Sequence, residues 1–358
     1  MSVRLYLDHA ATTPMLPEAR AAMAAELEAW ANPSSPHADG RRARAALEEA
    51  RREIAEALGW RHDVILTSGA SEAVQIVAAR AKMERRIVGS TEHDAVIAAM
   101  GERADVLPVD GNGIIQPSEL ERTLAGEPAL VAVQLVNNET GAIQPIERIC
   151  EMVRGSGSLL LCDCAQAAGK IALPDADFIA ISGHKFGGPP GAGALLVKDL
   201  ATLAPSGGQE RGYRRGTENL PAAVAMAAAL ASPSFAEAMP RLERLRERLE
   251  REIVASGGLV IAEETPRIAT IGTYALPGVA SAGQLVQLDL AGISVSAGSA
   301  CSSGSMKPSR VLESMGVPEE IAASVIRVSF CPSTTEDDLA RFLDEWRKIA
   351  GRAKAKAA

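Results

Sequence analysis

Six short apolar runs constrain this chain more than any other feature. They are Val64-Ile65-Leu66-Thr67, Arg86-Ile87-Val88-Gly89, Leu130 to Val136, Leu159-Leu160-Leu161-Cys162, Phe178 to Ile181 and Ala194-Leu195-Leu196-Val197. None alternates with polar residues. A strand with one wet face alternates, whereas a strand covered on both faces does not. Helical stretches separate the runs. Arg42 to Leu58, for example, places Leu47, Ala50, Ile54, Ala57 and Leu58 on one face. The pattern predicts an α/β fold with a mainly parallel central sheet and helices on both sides.

The pattern changes near Ser232-Pro233-Ser234. A helix predicted from about Met239 to Ala255 carries Leu242, Leu245, Leu249 and Ile253 on one face and dense opposite charges on the other. It opens a smaller α+β domain. The expected division is a large domain over 15–238 and a small domain formed by 1–14 and 239–358. The last helix is expected from about Glu336, with Ser333-Thr334-Thr335 supplying its N-cap.

A chain of 358 residues has room for two such cores. Only 3% of the residues are aromatic, so Ala, Leu, Val and Ile must fill them. A net charge of −8 argues against a general nucleic-acid surface, and the basic run Arg41-Arg42-Ala43-Arg44 reads as a solvated helix face. No window approaches the roughly 18 apolar residues of a membrane span. The first acid, Asp8, comes too early for a signal peptide, so a cytoplasmic protein is expected. The five cysteines give no disulfide framework. Cys162 and Cys164 flank Asp163 in a strand, which puts both thiols on one face and the carboxylate on the other. They read as buried core thiols.

Polar motifs follow the apolar runs. Ser182-Gly183-His184-Lys185 stands between the Phe178–Ile181 run and the glycine-rich stretch Phe186 to Gly193. A lysine there has apolar walls around its ammonium, which suits Schiff-base chemistry with an aldehyde cofactor. Asp163 ends another run and can pair with a pyridinium nitrogen or cap the next turn. Gln166 follows it and can bond a ring oxygen. Thr67-Ser68-Gly69-Ala70-Ser71-Glu72 joins strand to helix and can form a phosphate cradle or a capping box. His93 in Thr91-Glu92-His93 can cover a flat cofactor or stand as a solvated loop histidine. Asn138, in Val136 to Gly141, can bond a ligand or make an Asx turn. Ligands of open α/β sheets bind beyond the strand ends, so the coincidence counts for more than any one motif.

Two further residues stand out. Cys301 lies among small residues, Ser296 to Ser305, where a loop cannot pack tightly and should be mobile. Arg327, amid apolar neighbours, needs a carboxylate partner, from a substrate or from the chain itself.

Together these residues resemble the cysteine desulfurases, pyridoxal-phosphate enzymes of the class V aminotransferase, fold-type I group. The matching stretches are Tyr6 to Pro14, Asn32 to Ser35, Thr91 to His93, Val136 to Gly141, Ser182 to Lys185, Arg215 to Asn219 and Ser299 to Cys301. The resemblance implies that pyridoxal 5′-phosphate is bound by Lys185, His93, Asp163, Gln166, Ala70, Ser71, Ser182, His184 and Asn138. Thr217 would join them from the other subunit of a homodimer. It implies that Asn32, Asn138 and Arg327 orient L-cysteine, that Lys185 and His93 serve catalysis, and that Cys301 takes the sulfur as a persulfide. L-alanine would leave, and sulfur would pass to an acceptor or iron–sulfur scaffold protein. The Cys301–Arg327 segment resembles the long-loop branch.

Some positions depart from the family's pattern. Ser71 stands for a threonine, Ala73 for a polar residue, Pro190 for a lysine and Arg267 for an asparagine, and the stretch after the last helix is short. Two other readings remain open: a lyase or aminotransferase of the same fold that has no use for Cys301, and a persulfide carrier without cofactor chemistry.

Overall fold

The computed structural model describes residues 4–297 and 309–357. Its strands in chain order are β1 Leu5–Tyr6, β2 Asp63–Thr67, β3 Arg85–Gly89, β4 Asp105–Leu107, β5 Ala129–Gln134, β6 Leu159–Asp163, β7 Phe178–Ser182, β8 Gly193–Val197, β9 Leu259–Val260, β10 Ile271–Ala275, β11 Ile293–Ser294 and β12 Val325–Ser329. Seven of them form one sheet in the order β2-β8-β7-β6-β5-β3-β4. Only β8 runs against the others, antiparallel to both β2 and β7. The remaining six point the same way, so their C-terminal ends share one edge.

Both faces of this sheet are covered, as the unbroken apolar runs require. Val64, Leu66, Val131, Val133, Cys162, Ile179 and Leu196 face one core, with Leu47 and Ile54 of the Ala38–Ala57 helix and Met226 of the Leu220–Ala231 helix. Ile65, Val88, Ala132, Leu161, Phe178 and Leu195 face the other, under Val74 and Val77 of the Ala70–Arg80 helix. Cys162 and Cys164 are buried in the first core with their sulfurs 3.6 Å apart.

A separate core lies under the antiparallel sheet β12-β10-β9. Leu5 and Leu7 from the chain's start join Leu242, Leu249, Tyr274, Ile326, Phe342 and Trp346 there. Strand β1 pairs with β11, and Asp8 bridges to Ser329. The helix expected from Met239 begins at Ser234 instead and runs to Ala255, with Pro240 inside it. Phe235 is anchored in the core shared with the Leu220–Ala231 helix and Ala238 and Leu242 in the core of the β12-β10-β9 sheet, so tertiary packing carries the helix through the proline. The last helix, Glu336–Ala357, starts at a capping box in which Thr335 and Asp338 bond each other reciprocally.

Among the described residues no single helix is long and apolar enough to cross a membrane; the bent pair Leu220–Ala231 and Ser234–Ala255 passes that test only jointly.

Gly193 sets how closely the sheet approaches the turn after β2. A Cβ on it would lie 2.5 Å from Gly69 Cα and 2.5 Å from Ile181 O. Gly193→Ala is expected to lower stability by about 1–3 kcal/mol, the usual cost of overpacking, measured by urea unfolding.

Candidate active site

The C-terminal ends of β2, β3, β5, β6 and β7 open onto a cavity of about 650 Å³. Ten of the residues singled out in the sequence line it: Ala70, Ser71, His93, Asn138, Asp163, Gln166, Ser182, His184, Lys185 and Arg327.

Lys185 ends a single 3₁₀ turn, Gly183–Lys185, directly after β7. Its Nζ donates to Ala10 O at 2.7 Å and Ala11 O at 2.8 Å. Burial, and then the Arg327 charge, push its pKa down to about 8, with Asp163 and Asp8 pulling the other way. About a tenth of this amine is therefore unprotonated at pH 7, far more than for an ordinary exposed lysine, and that form is the one that acts as nucleophile or proton acceptor. His184 places Nδ1 3.1 Å from Thr12 Oγ1. Burial and the neighbouring Lys185 and Lys170 lower its pKa to about 4, so it is a neutral hydrogen-bonding group at pH 7.

At the β2 end the capping reading is met, and the residues read as a phosphate cradle stand beside it. Glu72 accepts the Ser68 N–H at 2.5 Å, which is the capping contact. Ala70 and Ser71, in the first turn of the same helix, line the cavity. First-turn N–H groups have no intrahelical acceptor, so they are available to an anion. The pattern repeats after β5. Asn137 makes the Asx turn, its Oδ1 accepting from Glu139 N at 2.9 Å and Thr140 N at 2.8 Å, while Asn138 lines the cavity.

Asp163 closes β6 and accepts the Ala165 N–H at 2.9 Å. Burial raises its pKa, opposed by that N–H and by the charges of His93 and Lys185. Gln166 donates from Nε2 to Ala10 O at 2.9 Å, and its buried Oε1 has no partner among the described residues. His93 caps the Asp94–Met100 helix, its Nδ1 accepting the Ala95 N–H at 3.1 Å. Arg327 finds a carboxylate within the chain, Asp8 Oδ1 at 2.9 Å, and also donates to Asn138 O at 2.8 Å. Its buried Nε has no partner among the described residues.

Two residues lie elsewhere in this single chain. Asn32 is exposed, and its Oδ1 accepts the Ser34 N–H at 2.9 Å. Thr217 is exposed outside the cavity. Cys301 falls outside the described residues. Arg267, one of the departures, sits apart from the cavity and bonds Glu250 through both terminal nitrogens, at 2.6 and 3.1 Å.

The sequence reading gave no role to Glu92, Glu139, Arg310 or the Ala10 and Ala11 carbonyls, all of which belong to the site. Glu92 is buried beside Asp163, and burial holds its pKa well above the carboxylate range. Its only signal was position, one residue before His93. Arg310 carried none, because its neighbours in sequence are distant from every strand end.

The donor set fits a phosphorylated pyridine aldehyde. An amine of lowered pKa, a carboxylate for a ring nitrogen, an imidazole and a helix start with free N–H groups face one space, and the unpartnered Gln166 amide oxygen and Arg327 Nε leave polar capacity there. Trinitrobenzenesulfonate labelling of the cofactor-free protein should modify Lys185 with a midpoint near pH 8. Exposed lysines should follow the ordinary value of about 10.4. Peptide mapping across a pH series checks this.

The chain is similar to proteins of known class. The model of the family described as Aminotransferase class-V matches residues 5–342. A cysteine desulfurase of Cereibacter sphaeroides is 36% identical, the match covering 98% of this chain and 97% of that protein. An IscS-like cysteine desulfurase of Mycobacterium tuberculosis is 37% identical over 98% of each. The solved structure of a NifS-like protein from Rickettsia africae superposes with a TM-score of 0.88 at 29% identity, covering 97% of this chain and 99% of that one. Class V enzymes of this kind depend on pyridoxal 5′-phosphate. By family model, relatives and fold alike, the chain belongs to the class-V aminotransferases and, among them, to the cysteine desulfurases.

Proposed function

We propose that this protein converts L-cysteine to L-alanine and passes the sulfur on through Cys301. The observation that carries the reading is the convergence of Lys185, Asp163 and Arg327 on one cavity.

Bound there, pyridoxal phosphate supplies an electron sink for the substrate's Cα. Ala70, Ser71, Ser182 and His184 hold the phosphate with neutral donors and helix-start N–H groups. Asp163 keeps a proton on the ring nitrogen, and Gln166 bonds the ring oxygen. The His93 imidazole covers the ring face. Lys185 Nζ, whose lowered pKa makes its neutral form accessible near neutrality, takes the proton from Cα and returns it. Arg327 receives the α-carboxylate, assisted by Asn138 and Asn32. Asp8 and the Asn138 carbonyl fix the guanidinium's plane for that task.

Cys301 then attacks the substrate's sulfur. The Cβ–S bond breaks, its electron pair is left on Cβ, which takes up a proton equivalent to the one given up by the Cys301 thiol to give alanine, and the sulfur remains on Cys301 as a persulfide. Two molecules of an external thiol reduce the persulfide to sulfide, or an acceptor protein takes the sulfur for iron–sulfur clusters or thiolation. In this reading the cysteine segment is of the long-loop kind, the enzyme works in the cytoplasm, and a homodimer brings Thr217 of each subunit to the other's phosphate. The exposure of Thr217 in the single chain supports that last step. The reading also divides the chain into 15–238 and 1–14 with 239–358. The two cores support this, because the Ser234–Ala255 helix passes from one to the other between Phe235 and Ala238.

The test is product release from L-cysteine with a reductant, for wild type and Cys301→Ala together. Wild type should yield alanine and sulfide in equal amounts. The variant should bind pyridoxal phosphate and release neither, a loss of at least about 10³-fold, as for removal of a nucleophile. Turnover retained in the variant would favour a lyase that does not need Cys301. A wild-type protein that stays colourless and inert with added cofactor would favour a carrier.

A further inference from the structure

The segment from Ser309 onward is fastened to the site more firmly than its sequence suggests. The short helix Arg310–Ser314 begins 218 residues after Glu92 in sequence, yet Arg310 lines the cavity. Its Nη2 donates to the Glu92 backbone carbonyl at 2.6 Å and forms an ion pair with Asp94 Oδ1 at 2.9 Å. Those two residues flank His93 on either side. Ser314 Oγ adds a bond to Ser90 O at 3.3 Å, and Ser309 Oγ donates to Glu139 Oε2 at 2.5 Å.

The inner side of the same turn is held by the sheet. The Glu92 carboxylate accepts the Gln134 N–H at 2.7 Å, and Gln134 Nε2 donates to Thr91 O at 2.5 Å. Among the described residues His93 itself makes one hydrogen bond, from the Ala95 N–H to its Nδ1. Its ring is exposed on the cavity wall. The histidine therefore owes its place to the turn that carries it, and the turn is clamped by Gln134 and Glu92 inside and by Arg310 outside.

We infer that Arg310 is a positioning residue for His93: its guanidinium, bonded to the residues on both sides, fixes the imidazole over the cofactor. The inference rests on the proposed function, in which His93 covers the cofactor ring. The Arg310–Asp94 pair is more than a third exposed on both side chains, 38% and 54%, so it adds little to global stability. What it adds is local order, because a shift of about 1 Å in a group that touches the reacting cofactor costs up to roughly a hundredfold in rate.

The experiment compares wild type, Arg310→Gln, Arg310→Lys, His93→Ala and the double variant Arg310→Gln/His93→Ala as full-length holoenzymes. Wild type that binds pyridoxal phosphate and turns over L-cysteine secures the underlying reading independently of the variants; failure there would sink that reading rather than this one. Arg310→Gln is expected to unfold at the wild-type temperature and to lose about tenfold in kcat with KM little changed. It should also weaken the visible circular dichroism of the bound cofactor. The Ala95 amide, whose acceptor is the His93 ring, should exchange with solvent faster, in loaded and cofactor-free protein alike. Arg310→Lys, which keeps the charge but not the fork, should restore part of each. In the His93→Ala background, Arg310→Gln should cost nothing further, because residues acting as a unit are not additive. An undiminished tenfold loss in that background would overturn the inference, as would unchanged dichroism and amide exchange in Arg310→Gln. A rise in KM alone would also overturn it and would make Arg310 a substrate contact.

Discussion

One ammonium group ties the chain's beginning to its centre. Lys185 Nζ reaches the carbonyls of Ala10 and Ala11, Gln166 Nε2 shares the Ala10 carbonyl, and Ser329 Oγ accepts the Ala10 N–H at 2.9 Å. Thr13 N adds a bond to His184 O at 2.8 Å. The N-terminal segment is thereby held between the end of β7 in the seven-stranded sheet and β12 in the three-stranded one. The cavity has a floor because of this contact, and Asp8 stands where it can pair with Arg327 because the segment is pinned three residues further on. A charge otherwise costly to bury is solvated by two backbone dipoles until a cofactor claims the amine.

The charges around that amine are kept apart in kind. Burial and the Arg327 charge depress the Lys185 pKa, burial chiefly neutralises His184, and burial lifts Glu92 and Asp163. The outcome is a cavity in which His184 is neutral at pH 7 and burial opposes the charged forms of Lys185, Glu92 and Asp163 before ligand arrives. An arriving phosphate and ring nitrogen supply the missing partners, so binding organises the electrostatics that catalysis uses.

Much of this was legible in the sequence, for a physical reason. Strands covered on both faces write themselves as apolar runs, and the residues after them are the ones the sheet delivers to its C-terminal edge. His93, Asn138, Asp163 and Lys185 could be placed that way. Strand β4 could not, since Asp105 and Val106 are exposed on a sheet edge and pair only through the backbone. Strand β10, Ile-Gly-Thr-Tyr-Ala, is fully buried but mixes residue types, and its identity comes from pairing with β12. The early start of the Ser234–Ala255 helix was hidden by Pro240, because propensity says stop where Phe235 packing says continue. Arg310 was invisible because its value lies wholly in contacts across the fold.

The reversal of β8 has a mechanical consequence. Lys185 stands in an antiparallel connection between neighbouring strands, not in a crossover leading to a helix. Gly187, at φ +84°, would carry a Cβ only 2.6 Å from Leu16 Cγ, and its carbonyl accepts the Leu16 N–H at 2.9 Å. Gly188 N closes the turn onto Gly183 O at 2.9 Å. The backbone under the lysine is thus a fixed pivot, and all the travel that proton carriage demands is left to the rotations of its own methylene arm.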